Sequence, residues 1–131
     1  MASIQMDIPL QAPAEHVWKA LRDVGEVKAL FPGVLAGSQL EGDSRVVTFA
    51  NGMHVKERIV DIDEKARRVA YAVVEWLTTH HNASMQVVPD GEARSRLVWV
   101  TDLLPNELAP QVRGLMEQGA KAVQGVFASA R

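Results

Sequence analysis

MHVKERIVDIDEKARRVAYAVVEW, residues 53–76, decides the fold. Successive side chains in a strand point to opposite faces. His54, Lys56 and Arg58 therefore share one face, and Met53, Val55, Glu57 and Ile59 share the other. The charged row needs water, so the second row turns inward and carries Glu57 with it. DEKA (63–66) has the composition of a turn, and RVAYAVVEW (68–76) returns as a second strand. Strands joined by so short a turn are antiparallel. The faces of that second strand are Val69, Tyr71, Val73 and Glu75 against Ala70, Ala72, Val74 and Trp76, and the pattern does not choose between them.

Working outward, more strands appear on both sides. Upstream lie VLAGSQLE (34–41), Gly42-Asp43 and RVVTFA (45–50), then Asn51-Gly52, a strong hairpin signal. Downstream, HHNASMQVV (80–88) carries His81, Ala83, Met85 and Val87 on one face and His80, Asn82, Ser84 and Gln86 on the other. The first set is apolar, so His81 is expected inward and His80 toward water. Pro89-Asp90-Gly91 turns the chain into RSRLVWVTDLL (94–104). There Arg96 and Asp102 mark the wet face, leaving Leu97, Trp99, Thr101 and Leu103 inside.

Helices bracket this run. After a first strand near 2–10, Ala14, Val17, Trp18 and Leu21 follow helical spacing behind Pro13. Asp23 and Glu26 have the spacing of a capping box for a second short helix, ended by Pro32-Gly33. From about Asn106 one long helix runs with a stripe of Leu108, Val112, Leu115, Met116, Gly119, Val123 and Phe127. The sheet needs a cover on one face, and this helix is the long element available.

Composition sets limits. The 131 residues suit one domain, 1–131, with one core. No cysteine is present, which removes disulfides, a thiol nucleophile and a Cys-type zinc site, and a cytoplasmic location is expected. The opening MASIQMDIPL is a strand pattern rather than a signal peptide, and no apolar run approaches the roughly 20 residues of a membrane span. The net charge is -2, and the densest basic cluster, EKARR (64–68), sits at a turn, so a nucleic-acid partner is not expected. His80 and His81 do not easily ligate one ion from a regular strand, and His16 and His54 read as solvent-facing, so no metal is expected. No cofactor is expected.

The order of one strand, two short helices, six strands and one long helix resembles the helix-grip fold of the START and birch-pollen-allergen-like superfamily, also called SRPBCC. IPLQAPAEHVWKALRDVGEVKALFPGV (8–34) is similar to its opening, MHVKERIVDIDEKARRVAYAVVE (53–75) to its central hairpin, and VVPDGEARSRLVWV (87–100) to its last hairpin. The likeness extends to the small bacterial polyketide cyclase/dehydrase-like group. The resemblance implies an α+β fold, with a curved seven-stranded antiparallel sheet and a long C-terminal helix over an internal cavity. It implies a small hydrophobic or amphipathic ligand, such as a lipid, sterol or polyketide-like molecule. Some similar proteins are cyclases or dehydratases, and others are carriers or receptors. The Asn51-Gly52 turn is shorter than the gate loop of hormone-binding relatives.

The resemblance also turns Tyr71 and Glu75 inward. With turns at DEKA and LTT, Glu57 lies opposite Val73, Glu75 opposite His81, and His81 near Thr101 or Leu103. The expected site is a polar patch of Glu57, Tyr71, Glu75, His81 and Thr101. Val55, Val73, Met85, Trp99, Val112, Met116, Gly119 and Val123 form the apolar wall around it. Two carboxylates in such a cavity would hold a proton through desolvation and mutual repulsion. With Glu57 and His81 as acid and base, and Tyr71 donating to an enolate oxygen, the patch suits cyclisation or dehydration. The same residues serve equally as anchors for a ligand's polar end, or as a structural pair. No inward lysine or arginine is expected, which weighs against a carboxylate ligand. Gly119 either leaves room for a ligand or lets the helix approach the sheet closely.

Overall fold

The computed structural model describes residues 2–128. Its strands are β1 (Ala2–Leu10), β2 (Leu35–Glu41), β3 (Ser44–Phe49), β4 (His54–Asp63), β5 (Arg68–Glu75), β6 (His80–Pro89) and β7 (Ser95–Leu104). They form one antiparallel sheet in the order β1-β7-β6-β5-β4-β3-β2. Each neighbouring pair from β2 to β7 is a hairpin, which follows from the short turns between them. Only β1 is displaced, pairing with β7 from Ala2↔Leu103 to Leu10↔Ser95. The sheet thus carries β1 on one edge and β2 on the other, and the segment between them must cross from edge to edge.

That crossing contains the two short helices. In α1 (Ala14–Leu21), Ala14, Val17, Trp18 and Leu21 are buried, as the periodicity requires. The following Val24–Leu30 segment is 3-10 rather than α-helical, and it breaks at Glu26. Asp23 makes no side-chain capping bond, so the expected capping box does not form. The kink leaves Val27, Leu30 and Phe31 buried without a regular helix.

The long helix α2 (Ala109–Val126) lies across β1 and meets the 3-10 segment. Its 18 residues span about 27 Å. Pro110 sits in its first turn, where the missing N–H costs no bond. Val112, Met116, Gly119 and Val123 form its buried face. The core fills the space between this face and the inner rows of the sheet. Among the described residues, no helix is long and apolar enough to cross a membrane.

The β4–β5 turn is tied back to α1. Arg22 and Trp18 Nε1 both donate to Glu64, Trp18 at 2.9 Å, and Arg67 donates to Glu15. The basic cluster of the sequence is therefore a clamp between turn and helix.

Candidate functional site

Beneath α2 the core leaves a cavity of about 90 Å³. The inner rows of β3 to β7, the face of α2 and the 3-10 segment wall it. Every sheet residue on this wall is there by strand alternation. Val55 and Glu57 come from β4, Tyr71 and Val73 from β5, His81 and Met85 from β6, and Trp99 and Thr101 from β7. The helix adds Val112, Met116 and Gly119.

Two expected residues are not on this wall. Glu75 is 67% exposed and pairs with Lys56 on the outer face, N to O 3.8 Å. The cause is a β-bulge. Glu57 faces Val73, as expected, but Lys56 faces Glu75, so Val74 is an extra residue on β5. One inserted residue reverses the phase of everything beyond it. Glu75 goes out and Trp76 comes in, its Nε1 lying 3.0 Å from Met53 Sδ. The expected facing of Glu75 and His81 is lost with it. Val123, the other exception, is fully buried in solid core farther along α2.

The expectation of no inward arginine also fails. Arg45, near the start of β3, is 3% exposed and lines the cavity. Its Nε donates to Glu57 Oε1 at 2.8 Å and its Nη1 to the Val24 carbonyl at 3.1 Å. Its guanidinium carbon stands 5.0 Å from the centre of the Tyr71 ring. Register explains the encounter, since Arg45 faces Glu57 directly across β3 and β4. Alternation could have found it: Arg45, Val47 and Phe49 share one face of β3, and all three line the cavity. Phe31, Leu35 and Leu115 were also not anticipated on the wall.

The polar part of the cavity wall is therefore an ion pair and three uncharged side chains, Tyr71, His81 and Thr101. Tyr71 is buried, and burial pushes its phenol well above the usual range, with the Glu57 charge adding to the effect. It stays protonated and accepts a bond from Trp99 Nε1 at 3.1 Å. Burial pushes the His81 imidazole down to about 4, helped by His80, so the ring is neutral at pH 7. His81 Nδ1 is buried without a partner, and so is Thr101 Oγ1. His81 pairs with Leu103 and Ala83 with Thr101, which makes His81 and Thr101 diagonal neighbours on one face.

Aromatic rings flank these residues. Phe31 packs on Trp99 with ring centres 5.6 Å apart, and Trp76 lies 6.2 Å from the His81 ring. Gly119 approaches Trp99 so closely that an added Cβ would lie 3.0 Å from the indole. Close packing, rather than spare room, accounts for that glycine. Among the described residues, no group of three His, Cys, Asp or Glu side chains converges to hold a metal ion.

Several solved structures share the fold. An uncharacterised protein from Bacillus thuringiensis is 20% identical, with a TM-score of 0.88 over 98% of this chain and 100% of that one. The protein XoxI from Bacillus cereus is 22% identical, with a TM-score of 0.88 over 97% and 96%. Truncated norcoclaurine synthase from Thalictrum flavum is 18% identical, with a TM-score of 0.78 over 99% and 95%. No curated protein matches. The family model described as polyketide cyclase / dehydrase and lipid transport matches residues 1–130. The chain belongs to that family.

Proposed function

We propose that this protein binds a small amphipathic molecule in the cavity beneath α2, with the molecule's polar end toward Glu57, His81 and Thr101. The supporting observation is the make-up of the cavity wall. It is apolar except for Arg45, Glu57, Tyr71, His81 and Thr101, one from each of the strands β3 to β7. A volume of about 90 Å³ lies well below the roughly 300–1,000 Å³ of sites for drug-sized ligands. Of the lipid, sterol and polyketide-like classes, this favours a short chain or a single ring. A sterol would need α2 to lift from the sheet.

The alternative is a cyclase or dehydratase with Glu57 and His81 as acid and base. Binding is the better supported of the two. The Glu57 carboxylate is engaged by Arg45, so moving a proton through it would break a buried ion pair. An imidazole pushed down to about 4 is a weak base at neutral pH.

Native mass spectrometry of freshly purified protein, followed by denaturing extraction, tests the proposal. The expected result is a one-to-one complex with an unmodified compound, or a thermal shift on adding small amphipaths. Turnover of the bound compound would favour the enzyme instead. A protein that carries nothing and shifts with nothing in a broad panel would refute both.

A further inference from the structure

The charge balance of the cavity narrows the ligand class, if the binding reading above holds. Arg45 and Glu57 are the charged side chains on its wall, and they meet at 2.8 Å. Each satisfies the other, so the pair presents little net charge to the lumen. Arg45 is further held by the Val24 carbonyl and stacked near Tyr71. His81 is neutral at pH 7 and Tyr71 keeps its proton. A carboxylate entering this space would lose its water without gaining an unopposed cation. An ammonium would fare no better.

The neutral groups tell the complementary story. Thr101 Oγ1 is a buried hydroxyl without a partner, on a residue 1% exposed. His81 Nδ1 is a buried ring nitrogen, also without a partner, one diagonal step away. A buried polar atom left unpaired costs about 1–3 kcal/mol, so such atoms normally have a partner. Two on one cavity wall form a site for a group that can both donate and accept. A hydroxyl does both, and a carbonyl accepts from the threonine.

We propose that the ligand is an uncharged small molecule bearing a hydroxyl or carbonyl oxygen, and that Thr101 Oγ1 and His81 Nδ1 receive that oxygen. The Arg45–Glu57 pair then acts as a neutral polar floor rather than as an anion trap.

The test is titration calorimetry of the full chain at pH 7.5 with four single-ring probes of similar size: benzyl alcohol, toluene, benzoate and benzylamine. Benzyl alcohol is expected to bind at least about tenfold more tightly than toluene, the worth of about one neutral hydrogen bond. Benzoate and benzylamine are expected to bind more weakly than toluene. In Thr101→Val the advantage of the alcohol should shrink severalfold while toluene affinity holds. Because toluene binding reports an intact cavity, a misfolded variant would show itself. Benzoate or benzylamine binding as tightly as the alcohol would overturn the inference and leave the binding reading standing. So would equal affinity for alcohol and toluene, since the two polar atoms would then have no ligand role. Failure of all four probes would overturn this inference, while the binding reading would then stand or fall by the native mass spectrometry and the broader panel.

Discussion

Arg45 and Glu57 form the most consequential contact in the molecule. Their side chains are 3% and 12% exposed, so removing one partner strands a charge in a poor solvent. Arg45→Met is expected to cost about 3–5 kcal/mol of stability, read as a fall in the urea midpoint. Arg45→Met combined with Glu57→Leu should recover most of the loss, because an ion pair replaced whole by apolar groups is often neutral. A double variant no more stable than the single one would mean that the pair is not the source of the cost. Alternation alone put Glu57, His81, Trp99 and Thr101 on the inner face, since each lies in a strand whose opposite row carries charged or polar side chains, His54, Lys56 and Arg58 on β4, Asn82, Ser84 and Gln86 on β6, and Arg96 and Asp102 on β7. Arg45 escaped because a cation beside a turn looks solvated by default. Alternation with Val47 and Phe49 turns it inward, and its register with Glu57, on another strand, supplies the partner that lets a cation be buried there. That partner is tertiary and is not written in a local pattern.

Among the elements, α2 and β5 differ in how legible they are. The stripe of α2 predicted its buried face well, and the one ambiguity, Gly119, is settled by Trp99. That indole is fixed between Phe31 and the Tyr71 hydroxyl, so it cannot move aside cheaply. Gly119→Ala should therefore destabilise by about 1–3 kcal/mol, despite its better helix propensity. Gly114 has nothing within 4 Å of an added Cβ, and Gly114→Ala should stabilise by up to about 1 kcal/mol. Thermal unfolding of the two variants side by side checks this, and shifts of the same sign would contradict it. β5 was harder to read. Its faces, Tyr71 and Val73 against Ala72 and Val74, are similar in hydrophobicity, so no pattern announces a bulge between them. The capping-box reading of Asp23 and Glu26 failed for a related reason. The spacing was right, but the packing of Val27 and Phe31 favoured a kinked 3-10 segment over a regular helix.

For the whole molecule, the order of elements was enough to identify the helix-grip fold. Six strands in hairpin succession leave few ways to arrange a sheet, and one long helix leaves one cover. The remaining freedom lies with β1, which pairs with β7 across 85 to 101 residues of sequence. Such a closure must wait for the hairpins between, and proteins dominated by distant pairings fold slowly. Refolding by stopped-flow fluorescence should therefore take on the order of milliseconds to seconds. A microsecond phase carrying the full amplitude would show that β1 docks without waiting for the sheet.

The extra residue on β5 has one more consequence. A strand counts in twos, and Val74 is the place where this one skips a count. Read without the skip, the same letters put a carboxylate into the lumen and an indole outside. Read with it, Trp76 enters and Glu75 leaves. The chemistry of the chamber is thus set partly by parity, a property that belongs to no single side chain. A change of one in the number of residues between Val73 and Trp76 could rewrite the wall as thoroughly as several substitutions.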